Sequence, residues 1–219
     1  ASSYSTFKAQ NLAQKYKDNL ERIVVEVVRN PTTGKVQFAN NIASAGGVGF
    51  FAHSASTAVD ERYLELIVAV PDVFDVAMGL NSKIDRFLSE YGIELLAILL
   101  KDSAIYGDPD VAGYALNFSW RSLVQSQGGS QVIFERSVLY FKKDEARKFL
   151  DHKVAKEAFL SGAVIFAMRG DAPPQQVAYA NRGGGPVAGA TAREETVPES
   201  TIAALKPGVT EKDISSEKD

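Results

Sequence analysis

The sequence predicts an α+β fold: a mixed β-sheet with two hairpins and one βαβ unit, flanking helices, and an extended C-terminal tail. Three observations predict it. Apolar residues recur with a period near 3.6 in some segments and near 2 in others. Gly, Pro and Asn clusters punctuate the periodic segments. Composition then breaks near Asp171, dividing the 219 residues into a body, 1–170, and a tail, 171–219.

Residues 5–21 read as a helix, because Leu12, Tyr16 and Leu20 stack at i, i+4 with Ala9 and Ala13 beside them. Residues 23–29 are β-branched and read as a strand. The run Asn30-Pro31-Thr32-Thr33-Gly34-Lys35 is turn chemistry, and 36–42 returns as the second arm of a hairpin. The Gly-rich run from Ala45 to Phe51 reads as a loop, with a short helix over 52–60.

Residues 63–70 are an apolar strand that Pro71 is expected to stop. Asp72 then caps a helix to Tyr91 whose stripe includes Val73, Val76, Leu80, Ile84, Phe87 and Leu88, with Gly92 as its C-terminal glycine. Residues 93–101 are apolar on both faces and read as a central strand, which completes the βαβ unit.

Tyr114, Leu116, Phe118 and Trp120 alternate with polar or small residues, so this strand is half-buried. The loop 125–130 and the segment 132–142 make it a second hairpin. Residues 144–150 and 154–160 are short helices, and 163–168 is the last strand. The predicted core includes Phe38, Leu66, Val68, Leu80, Ile84, Phe87, Leu95, Ile98, Leu116, Phe118, Trp120 and Leu139.

The tail holds five of the eight prolines and one aromatic residue, Tyr179. With eight acids and five bases it carries the whole net charge of −3. Such a stretch has too little apolar area to offset its own ordering entropy. Its spaced anchors are Val177, Tyr179, Val187, Val197, Ile202 and Leu205, a pattern that suits an extended docking segment.

Composition excludes several chemistries. The chain has no cysteine, so thiolate metal sites, disulfides and Cys nucleophiles are out. The body is charge-balanced, which disfavours nucleic acid as a partner. No apolar run approaches the ~20 residues of a membrane-spanning helix. The start Ala1-Ser2-Ser3 fits what remains after an export signal is cut, and equally the loss of an initiator Met. Together with the missing cysteines it leans towards a periplasmic or extracellular setting.

Motifs that carry chemistry fail on their residues. Thr33-Gly34-Lys35-Val36 holds a Gly-Lys pair, but Arg29 stands at the first P-loop glycine and Val36 replaces the Mg²⁺-binding hydroxyl. The two histidines, His53 and His152, have no ligand-like spacing. Asp102, Asp108 and Asp110 cluster around Tyr106-Gly107, a composition that suits acid–base work, Ca²⁺ binding or a plain turn. Asn117-Phe118-Ser119 matches a glycosylation acceptor within a strand, and Arg169-Gly170-Asp171 marks the body–tail border.

No catalytic residue, cofactor site or metal site is therefore assigned. The expected function is a non-enzymatic structural or assembly subunit, of an exported or cell-envelope complex. Its tail is the docking arm, on copies of itself or on other protein subunits. One alternative is a small-ligand-binding protein or enzyme using the loops from Ala45 to Phe51 and from Asp102 to Asp110. The other is a cytoplasmic regulatory or interaction domain.

Overall fold

A computed structural model describes residues 6–38, 47–52, 60–126 and 129–179. The fold is α+β, with a seven-stranded mixed sheet. The chain opens with α1 (Phe7–Lys15) and α2 (Lys17–Arg29), then a short 3₁₀ turn, Thr33–Lys35. Strands β1 (Gln37–Phe38) and β2 (Val48–Phe51) both pair antiparallel with one side of β3 (Arg62–Asp75).

A crossover then leads from β3 to its parallel neighbour β4 (Val111–Ser126). It consists of α3 (Leu80–Phe87), a π-helical turn (Leu88–Gly92), α4 (Ile93–Leu100) and α5 (Ser103–Gly107). Strand β5 (Gly129–Lys142) returns antiparallel to β4 as a long hairpin. Helices α6 (Lys143–Leu150) and α7 (Lys156–Ser161) lead to β6 (Val164–Arg169), and β7 (Gln175–Val177) adds to its free side.

Several sequence expectations are corrected. Residues 23–29 are helical, not a strand, so the first predicted hairpin is absent. Leu20, Ile23 and Val27 are buried at helical spacing, while Val25 and Val28 face outward and add only a small propensity cost. Of the returning arm, Gln37–Phe38 alone is a described strand, and it pairs with β3. Residues 39–46 lie outside the described residues, as does the short helix expected within 52–60 apart from its end residues.

Pro71 does not stop its strand. β3 continues to Asp75 through a register shift between Ala69 and Val73, where a residue without an N–H is tolerated. The next helix accordingly starts at Leu80 behind Gly79, and Asp72 instead accepts hydrogen bonds from Arg86 and the Tyr91 hydroxyl, each 2.8 Å.

Residues 93–101 are not a central strand, since Ile93–Leu100 is α4. An all-round apolar run suits a fully buried helix as well as a buried strand, and α4 buries Leu95, Leu96, Ile98, Leu99 and Leu100. Gly92 is not a C-terminal cap, because the helix runs on through it. A Cβ there would come within 2.8 Å of Leu88 Cδ1 and 3.3 Å of Leu116 Cδ1, so glycine allows the turn to approach β4. The βαβ unit exists, with 111–126 as its second strand. Finally, 48–51 is a fully buried strand rather than loop.

The main core lies between the helices and one sheet face. It includes Leu66, Val68, Ile84, Phe87, Leu95, Ile98, Leu116, Phe118, Trp120 and Leu139, with Phe38 and Leu80 packed at its margin. The opposite sheet face has its own cluster, made of strand residues alone: Tyr63, Ala115, Val138, Tyr140 and Phe166.

Candidate functional site

Three polar constellations stand out against this frame. The first is the Asp102–Asp110 corner that the sequence singled out. Asp102 caps α5, its Oδ1 accepting from the Ile105 N–H at 3.1 Å. Its Oδ2 accepts from Arg22 at 2.5 Å and from Asn19 at 2.6 Å. Asp108 is equally engaged, since its Oδ2 accepts from the Tyr16 hydroxyl at 2.7 Å and Lys15 at 2.8 Å. The Asp110 N–H donates to its Oδ1. Burial works against the charge on Asp108, but Lys15, Tyr16 and the Asp110 N–H prevail and hold its carboxyl at about 2. The exposed Asp110 carboxylate pairs with Lys8 at 3.2 Å.

All three aspartates thus receive side chains of α1 and α2. Lys143 Nζ closes the corner from the other side by donating to the carbonyls of Tyr106 and Asp108. Beside Asp102 lies an open cleft of about 340 Å³, lined by Asn19, Arg22, Glu26, Ile98 and Lys101 among others. Arg22 pairs with Asp102 and Lys101 with Glu26, so opposite charges line it in balance.

The second constellation was missed from the sequence. Lys83 is 2% exposed on the inner face of α3 and donates to Glu135 Oε2 at 2.5 Å and to Ser122 Oγ at 3.1 Å. Trp120 Nε1 and Ser122 Oγ also donate to Glu135 Oε2. Burial would raise the Glu135 carboxyl, but the bonds from Lys83 and Ser122 hold it below its ordinary value. A signal existed: Ser122 shares the inward parity of Leu116, Phe118 and Trp120, and Lys83 adjoins Ile84 in the apolar stripe. Two polar residues on apolar faces call for each other or for a common partner.

The third lies where body and tail meet. Val177 pairs with Ile165 as β7 adds to β6, and it packs against the main core. Tyr179 is buried, and its hydroxyl donates to Asp85 Oδ1 of α3 at 2.8 Å. The first nine residues of the Pro-rich segment therefore dock on the body. The other predicted anchors, Val187, Val197, Ile202 and Leu205, lie outside the described residues.

The remaining sequence candidates are dispersed. His53 lies outside the described residues, with Ala45 and Gly46. His152 ends α6 in an exposed left-handed turn, φ 57°. Asn117 is fully buried, which leaves no room for a glycan on the folded chain. Gly170 of the Arg-Gly-Asp run, φ 58°, makes the turn from β6 towards β7. Among the described residues no group of three or more His, Asp or Glu could hold a metal ion. Nor does any described helix have the length and apolarity to cross a membrane.

No family model matches the chain, and no solved structure matches it. Over 98 residues, 45% of its length, the chain is 29% identical to Protein sidekick-1 of Homo sapiens. The matched stretch is 4% of the length of that protein, and it leaves the family of this chain unassigned.

Proposed function

We propose that the protein is an assembly subunit of an exported or cell-envelope complex, whose C-terminal segment docks on another copy or on a partner chain. One observation carries the reading: residues 171–179 already bind in the manner expected of such an arm. They add a strand to an open sheet edge through β7, and they place single side chains, Val177 and Tyr179, against the body. Strand addition supplies backbone hydrogen bonds, and spaced side chains supply specificity. Further apolar residues, Val187, Val197, Ile202 and Leu205, follow at irregular intervals after Tyr179 in the sequence. The exported setting rests on the absence of cysteine.

The test is the solution mass of the full chain against one ending at Tyr179, measured by light scattering over a range of concentrations. The truncation retains β7 and the Tyr179–Asp85 contact. A lower assembly mass after truncation is expected, and identical masses refute the reading.

A second reading is favoured by the cleft beside Asp102. Its balanced charges suit a small zwitterionic ligand, which would compete with the Arg22–Asp102 pair. Thermal shifts with a panel of amino acids and related zwitterions, lost in Arg22→Ala, would support it.

A further inference from the structure

We propose that the outer edge of the β4–β5 hairpin is a docking site for a second copy of this chain, which pairs with it edge to edge as an antiparallel strand. β6 lies beside β5 only as far as the pair Glu135–Arg169, and the Gly170 N–H then donates to the Phe134 carbonyl at 2.8 Å. Beyond Phe134, towards the hairpin turn, no described strand runs along this side of β5. Ser130, Gln131 and Val132 are exposed there, Val132 to 47%.

The Gly170 bond fixes the direction of the backbone groups. A carbonyl that meets Gly170 points away from β4, and in an antiparallel ladder that direction returns at every second residue. Val132 and Ser130 therefore turn their N–H and C=O groups to the open edge, while Ile133 and Gln131 face their β4 partners, Ser122 and Val124. Natural edge strands are commonly blunted by a Lys, a Pro or a bulge. This edge carries none of them. From Ser122 to Phe134 the sequence holds no Asp, Glu, Lys, Arg or Pro, in a chain that is 23% charged. The register between β4 and β5 also runs through without a shift.

The edge is its own complement. A two-fold axis beside Gln131, perpendicular to the sheet, sets Val132 opposite the second copy's Ser130 and Ser130 opposite its Val132. Each of these pairs exchanges two backbone hydrogen bonds, so every outward N–H and C=O of Ser130 and Val132 is used. Both partners bring the same uncharged run, so pairing sets no like charges against each other and strips no ion of water. The two sheets become one, with the helices of both copies on the same side. So short an edge buries far less than the ~800 Å² a side of a standard interface, and the dimer is accordingly weak. The contact involves the body alone and does not depend on the C-terminal arm.

The test uses the full chain, which has no cysteine of its own. Gln131→Cys places a thiol beside the axis. Directly opposite residues of a non-hydrogen-bonded pair have Cα atoms ~4.5 Å apart, within the ~4.4–6.8 Å that a disulfide spans. Val132→Cys, one residue along the same exposed edge, is the control. Its counterpart in the second copy is displaced by two residues, ~8–9 Å away, which is out of reach. In a glutathione redox buffer Gln131→Cys is expected to form at least ~10-fold more disulfide-linked dimer than Val132→Cys. Equal linkage at the two positions, more at 132, or none at 131 overturns the proposal.

A second measurement needs no thiol. Val132→Pro removes an outward N–H and leaves the bonds between β4 and β5 in place. Light scattering of the full chain up to ~1 mM should show a mass that rises with concentration in the parent and rises less in Val132→Pro. Should that variant unfold early, Val132→Lys, which sets like charges near the axis, takes its place. The same rise in a folded edge variant, or no rise in the parent, overturns the proposal. The outcome is separable from the assembly reading, because truncation at Tyr179 leaves this edge intact. A mass that falls on truncation, with no preference for linkage at position 131, keeps the arm and removes the edge pair. Selective linkage at 131, with a mass unchanged by truncation, keeps the edge pair and removes the arm.

Discussion

Lys83 Nζ of α3 lies 2.5 Å from Glu135 Oε2 of β5, and this ion pair sits at the junction of the crossover with the long hairpin. Trp120 and Ser122 donate to the same carboxylate oxygen and Arg169 pairs with the other at 3.4 Å, so neither charge is left alone in the core. Breaking one side of such a pair costs more than removing both. Glu135→Ala is expected to lose about 3–5 kcal/mol, since it strands the ammonium. The double variant Lys83→Met, Glu135→Gln should lose clearly less than the sum of the single changes. Urea unfolding of the four proteins checks this, and strict additivity would mean that the pair does not act as a unit.

Asp108 gives the fold an acid-sensitive contact. Its folded value of about 2 lies below the ordinary 3.8, so the charged form binds α1 better than the neutral one. The stability it contributes is fully present above ~pH 4 and is lost as pH falls towards 2. Lys15 is 60% exposed, so solvent screening limits the effect to about 1–2 kcal/mol. Asp108→Asn should be less stable than the parent at pH 6, and the gap should close by pH 2. A gap that stays constant across that window would assign the loss to packing instead.

The core was legible wherever a period could be counted against a single alternative. The 114–121 strand, its hairpin partner and the Ile84–Phe87 stripe came through because alternation or 3.6-residue spacing had no rival. The segment 93–101 has only Glu94 and Lys101 on the side that α4 turns outward, too few polar residues to choose between helix and strand. In residues 23–29 the β-branched content points to a strand, while the stripe of Leu20, Ile23 and Val27, which continues that of Leu12 and Tyr16, points to the helix that forms. The aspartate corner was found as a cluster, but its role depends on α1 and α2, which lie ~80–90 residues earlier. Lys83 and Glu135, 52 residues apart, meet only once the crossover has folded back on the hairpin.

Two glycines should differ sharply in their response to alanine. A Cβ on Gly113 would lie 1.9 Å from the Phe141 carbonyl oxygen and 2.9 Å from Tyr63 Cε1. The strands must part to admit it, so Gly113→Ala is expected to cost about 3 kcal/mol or more. Gly107 ends α5 with nothing within 4 Å of its would-be Cβ, and Gly107→Ala should change stability by less than about 0.5 kcal/mol. Thermal unfolding of the two variants side by side is the check.

Tyr179 is the last anchor before residues 180–219, and its loss should loosen β7 before anything else. Its ring is buried against the main core and its hydroxyl donates to Asp85, which also pairs with Lys156 at 3.1 Å. Tyr179→Phe removes the hydrogen bond alone and should cost about 1 kcal/mol. Tyr179→Ala removes the ring as well, and amides 175–177 should then exchange much faster while those of β4 and β5 keep their protection. The hydroxyl adds an alkaline signature. Burial, then its bond to Asp85, raises its ionisation from 10 to about 12, so its contribution is complete below pH 10 and fades as pH rises to 12. Exchange of β7 measured across that range should rise in the parent more than in Tyr179→Phe. Equal pH profiles in the two proteins, or unchanged exchange in Tyr179→Ala, would show that β7 is held by its strand pairing alone.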